Sequence, residues 1–110
     1  MTVTEVSNLD FEAALGLCKD PSNERVILYF EDPTLPACQA YIQTLSQLTD
    51  ARLRVCRVDV RMEPELQLRF PSNELPVTYF YSNGLSFGRK ERFNSIHDIE
   101  NWLKFMNGLC

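Results

Sequence analysis

Val26 to Phe30 are five apolar residues in a row, in a chain whose hydrophobic positions elsewhere alternate or recur every three or four residues. A short run of β-branched and aromatic residues suits a strand covered on both faces, as parallel strands are. The turn Asp32-Pro33-Thr34-Leu35-Pro36 follows, and beyond it Cys38, Tyr41, Ile42, Leu45 and Leu48 share one face of a helix that the pattern carries to about Thr49. A loop between the carboxyl end of a central strand and a helix is where α/β proteins usually hold their ligands. The stretch from Pro33 to Cys38 is therefore the first candidate for function, and Cys38 is its one reactive side chain.

Ahead of this unit, Thr2 to Val6 predicts a short edge strand. Ser7 or Asn8 then caps a helix with Leu9, Phe11, Ala14, Leu15 and Cys18 on its apolar face. The cluster Asp20-Pro21-Ser22-Asn23 ends that helix. Farther on, Arg52 to Val60 alternates as a strand, with Val55 and Cys56 on opposite faces, and Glu63 to Phe70 reads as a short helix with Pro64 in its first turn. Leu75 to Tyr81 is a strand opened by Pro76, and Ser82-Asn83-Gly84 signals a hairpin that pairs it with a strand from Leu85 to about Phe93. Ser95 with Asp98 resembles a capping pair for a last helix whose apolar face is Ile96, Ile99, Trp102, Leu103 and Met106. The order is β-α-β-α-β-α-β-β-α, an α/β fold with a central mixed sheet, parallel strands first, an antiparallel hairpin at one edge and helices on both faces.

Residues 1–110 suffice for one domain and not for two. A net charge of −4, with Lys and Arg scattered among acids, offers phosphate no basic stripe, so nucleic acid is not an expected partner. The first residues lack a charged and apolar leader pattern, and no apolar span reaches bilayer length, so the expectation is a cytoplasmic protein without a membrane partner. Cys18, Cys38, Cys56 and Cys110 form neither a Cys-x-x-Cys pair nor a zinc-ligand spacing, and neither metal nor cofactor is expected. In a reducing cytosol the first three read as small buried hydrophobes, with terminal Cys110 the most open to oxidation. His97, the only histidine, sits in the first turn of the last helix and reads as a surface residue.

The element order, the loop before Cys38 and the Leu75-Pro76 start of the hairpin resemble the thioredoxin-like superfamily over nearly the whole chain. Counting from Phe30 without a gap, Thr34-Leu35-Pro36-Ala37-Cys38 occupies the register of the thioredoxin Trp-Cys-Gly-Pro-Cys motif. Leu35 thus stands where the attacking cysteine would be, Cys38 takes the sheltered second position, and Tyr29 replaces a buried Asp that assists proton transfer. The resemblance implies that disulfide chemistry has lost its thiolate and its base. Pro76 matches the family's cis-proline, beside which backbone, here that of Leu75, binds extended peptides.

Within the superfamily, Leu35-Pro36-Ala37-Cys38 and Phe70-Pro71-Ser72-Asn73-Glu74-Leu75-Pro76 are similar to stretches of the phosducin-like proteins, which bind G-protein βγ subunits or the cytosolic chaperonin. The reading implied is a redox-inactive module that binds a protein partner through Thr34, Leu35, Pro36, Leu75 and Pro76. The alternative is a monothiol enzyme in which Cys38 attacks a disulfide or peroxide. The two readings divide on Cys38: exposure and a lowered pKa favour the enzyme, burial among Tyr41 and Ile42 the binding module.

Overall fold

The computed structural model describes residues 4–6, 10–22, 24–45, 47, 53–71, 74–91 and 96–109. Its elements are β1 (Thr4–Val6), α1 (Phe11–Lys19), β2 (Arg25–Glu31), α2 (Pro36–Leu45), β3 (Leu53–Asp59), α3 (Pro64–Arg69), β4 (Val77–Ser82), β5 (Leu85–Lys90) and α4 (Ile96–Leu109), with a 3-10 turn, Val60–Met62, between β3 and α3. This is the order expected from the hydrophobic pattern. The sheet runs β1-β3-β2-β4-β5, which puts β2 in the middle. β1 and β2 pair parallel with β3, and β4 pairs antiparallel with both β2 and β5.

Period-two alternation sends neighbouring residues of β2 to opposite faces, and each face finds its own helices. Val26, Leu28 and Phe30 join Cys56 and Val58 of β3 beneath Ala14 and Cys18 of α1 and Leu66 of α3. Ile27 and Tyr29 join Leu53, Val55 and Phe80 beneath Tyr41 and Leu45 of α2 and Ile99, Leu103 and Met106 of α4. Cys38 is the exception on α2. It lies in the first cluster because the helix begins beyond the end of the sheet, where the two faces meet.

Several boundaries differ from the sequence reading. The cap of α1 is Asp10, whose Oδ1 accepts from the Ala13 N–H at 2.7 Å. Ser7, Asn8 and Leu9 lie outside the described residues, as do Thr2, Leu48, Thr49, Phe93 and Ser95. The second helix is described from Pro36 to Leu45, and the Gln47 N–H turns back to the Thr44 carbonyl at 3.1 Å; the expected end near Thr49 lies outside the described residues. β5 stops at Lys90, which pairs with Thr78. One step past that partner, Val77 is the first residue of β4, and Pro76 before it has no N–H to give a longer ladder.

The hairpin turn is the two-residue kind, with Ser82 paired to Leu85 and positive φ at both Asn83 (50°) and Gly84 (87°), as a type I′ turn requires. Its tip is anchored. The Asn83 N–H donates to the Glu24 carbonyl at 3.3 Å, and a Cβ on Gly84 would stand 2.6 Å from the backbone oxygen of Lys19 at the end of α1. Gly84→Ala should therefore lose more than ~1 kcal/mol of unfolding free energy, from backbone strain and the carbonyl clash together. Urea denaturation at neutral pH measures this, and an unchanged midpoint would count against the anchored turn.

Candidate functional site

The loop after β2 is shaped by Asp32. Its Oδ1 accepts from the Thr34 N–H at 2.9 Å and the Thr34 hydroxyl at 2.6 Å, while its carbonyl accepts from the Leu35 N–H at 3.0 Å. The Leu35 carbonyl then accepts the first helical bonds, from the N–H groups of Cys38 (3.1 Å) and Gln39 (3.2 Å), and Pro36 opens α2 where a missing N–H costs nothing. Gln39 Nε2 donates back to the Pro33 carbonyl at 3.1 Å and closes the loop.

The residues singled out from the sequence fall into two groups. Thr34 and Pro36 are exposed, and Leu35 is half-buried against the α1 and α3 side of the core. Leu75 and Pro76 are buried, Leu75 as a member of that same cluster, and the peptide bond between them is cis. The ladder between β2 and β4 stops at the Phe30–Val77 pair, so the Leu75 backbone lies just past its end. Loop and edge lie at the same end of the sheet, with side chains exposed on the loop, while Leu75 is only 1% exposed.

Cys38 is 0% exposed. Under it Tyr29, also fully buried, donates its hydroxyl to the Cys38 carbonyl at 3.1 Å and stacks on Tyr41 with 5.8 Å between ring centres and 5° between planes. Burial pushes the Tyr29 phenol far up, and the nearby Glu31 charge adds to the rise. A phenol held neutral has no base to offer a thiol.

The acids of the loop are committed within the fold. Glu31, 4% exposed, accepts from Arg57 at 2.7 Å and 3.0 Å. Asp59 holds Arg61 at 2.7 Å, and Arg61 reaches on to Asp32 at 3.6 Å. The hydrogen bonds from Arg61 keep the Asp59 carboxyl below the usual carboxylate range. Among the described residues no group of three or more His, Cys, Asp and Glu could hold a metal ion. His97 is exposed on α4.

Sequence reasoning missed the meeting of Cys18 with Cys56. The two thiols, on α1 and β3, are fully buried, free of disulfides and hydrogen-bonded to each other. That hydrogen bond first, and burial second, pushes the Cys18 thiol far up, which leaves it a neutral part of the core. The cysteines lie far apart in the chain, and only the choice of which strand α1 covers brings them together.

No protein-family model matches the sequence, and neither does any curated protein. Solved structures do match. Thioredoxin O2 from Arabidopsis thaliana aligns over 93% of this chain and 93% of its own at 14% identity, with a TM-score of 0.71. Chloroplastic thioredoxin z aligns over 98% and 96% at 19% identity and the same score of 0.71. The chain has the thioredoxin fold. A malaria-parasite thioredoxin-2 matches at 24% identity over 76% of this chain and 84% of its own, with a TM-score of 0.64. In this thioredoxin fold the loop before α2 and the Leu75–Pro76 edge lie side by side, and the loop carries Leu35 outside and Cys38 inside.

Two outcomes follow. Cys18, Cys38 and Cys56 should resist alkylation in the folded protein and react at free-thiol rates only in denaturant, as site-resolved mass spectrometry can show. Rapid labelling of Cys38 near neutral pH would contradict its burial. Asp59, whose folded pKa is depressed, contributes stability above its unfolded value near ~3.9 and loses it as pH falls through the lower folded value. Its partner Arg61 is solvent-exposed and screens the pair, so the contribution is at most ~1 kcal/mol. Urea midpoints of the parent and Asp59→Asn should differ at pH ~6 and converge as pH drops below ~4.

Proposed function

We propose that this chain is a redox-inactive protein-binding module of the phosducin-like kind, which takes a protein partner on the Pro33–Cys38 loop and the adjoining Leu75–Pro76 edge. The observation that carries the reading is the burial of Cys38 behind a loop whose outer position is Leu35. A disulfide exchange needs an accessible thiolate, and here the only thiol of the loop is shut in and has a neutral phenol beneath it.

The loop has properties that favour contact. Its conformation is already held by the Asp32 bonds and by prolines, so little entropy is lost when a partner docks. Thr34, Pro36 and half of Leu35 offer side-chain surface, and the buried Leu75 and Pro76 back this contact at the end of the ladder. Disulfide reductase activity is not expected of this arrangement, and the cytoplasmic setting follows from the same reading.

A photo-crosslinking residue at Thr34 should capture a defined partner that the same residue at Gln43, exposed farther along α2, does not. Leu35→Asp, and Thr34→Arg at a fully accessible position, should each weaken that capture about tenfold. Equal capture at Gln43, or capture that neither substitution weakens, would remove the loop as the contact surface. Reduction of insulin disulfides by the parent chain would replace the binding reading with the monothiol enzyme.

A further inference from the structure

On the α1 and α3 side, the sheet is incompletely covered. α3 is a helix of six residues, about 9 Å long, and does not reach across β4. Tyr79 and Tyr81 of β4 therefore stay half-buried where their partners across the ladder, Leu28 and Val26 of β2, are closed over. The gap is a cavity of about 270 Å³ running between α1 and α3.

Its walls are aromatic and fixed. Phe30 stacks on Phe70 with 4.5 Å between centres, and Phe11 and Tyr79 meet Phe30 edge-on at 5.8 Å and 5.9 Å. Tyr81, paired across the hairpin with Ser86, closes the far side. Rings locked in this way present both faces and edges to a guest without having to be ordered first.

The rim is cationic in a protein of net charge −4. Lys19, at the carboxyl end of α1, and Arg69, in the last turn of α3, both line the cavity. Neither has a carboxylate partner among the described residues, in contrast with Arg57 and Arg61, which are paired. Arg69 lies over the Phe70 ring at 5.6 Å, and Arg89 over the Tyr79 ring at 5.8 Å, so positive charge sits next to the aromatic walls. The acids of this side, Glu12, Glu63 and Glu65, line a neighbouring hollow that shares Phe11 and Arg69 with the cavity, which leaves Lys19 as the rim cation set apart from them.

From this we infer that the cleft between α1 and α3 is a binding site for a small aromatic carboxylate, whose ring enters between Phe11, Phe70 and Tyr79 while its charge meets Lys19 and Arg69. The volume lies just under the usual range of ~300–1,000 Å³ for small-molecule sites, which suits one or two fused rings and excludes a nucleotide. The site is separate from the Pro33–Cys38 loop and does not depend on its function.

The probe is 2-naphthoate, titrated into the isotopically labelled chain and followed by NMR. Saturable shifts are expected at Leu15, Lys19, Leu28, Arg69, Tyr79 and Tyr81. The uncharged 2-naphthamide should bind about tenfold more weakly, as should 2-naphthoate to the Lys19→Glu/Arg69→Glu double variant. Both positions are exposed, and the milder Lys19→Gln/Arg69→Gln pair, with its spectrum otherwise unchanged, gives the same comparison without charge reversal. Shifts centred elsewhere, no saturation at millimolar probe, equal binding of the amide, or affinity unchanged in both variants would each overturn the assignment.

Discussion

Six of the seven residues of β2 are buried, and a strand with no wet face has to be roofed on both sides. That constraint organises the molecule. It calls for a parallel neighbour on one flank, an antiparallel hairpin on the other, and two pairs of helices that divide the alternating side chains of the strand between them. It also brings the carboxyl end of the strand to a place where a loop must turn sharply into α2, and the Asp32 side chain makes that turn.

The character of the site follows from what lies under that turn. It is Tyr29, which spends its hydroxyl on the Cys38 carbonyl and its ring on Tyr41. A hydrogen bond of this sort is worth ~1 kcal/mol, and with the stacked ring it ties the first turn of α2 to the central strand. The result is a firm, apolar loop.

Charge is handled with similar economy near the loop and differently on the α1 and α3 side. Glu31, Asp32 and Asp59 are matched to Arg57 and Arg61, so the acidic loop does not present free carboxylates to a ligand. Across the sheet, aromatic rings stay partly uncovered beside short α3, and Lys19 and Arg69 have no salt-bridge partner among the described residues. The two sides therefore differ in chemistry: a loop whose carboxylates are paired, and an aromatic cleft beside α1 lined also by Lys19 and Arg69.

Local pattern was enough for the order of elements, because burial imposes period two on strands and period 3.6 on helices wherever one face is covered. Val26 to Phe30 announced the central strand, and Asn83-Gly84 the turn whose positive φ values other residues adopt poorly. Element ends were less legible: Ser7 or Asn8 was expected to cap α1 where Asp10 does so, and the end of β5 depended on where its partner strand began. What sequence spacing does not encode is which side chains meet across elements. The Cys18–Cys56 contact, the Tyr29 bond to Cys38, the Glu31–Arg57 pair and the cleft lined by Phe11, Phe70 and Tyr79 arise only when helices settle on particular strands. Those choices are made by packing over the whole core, and no local period carries them.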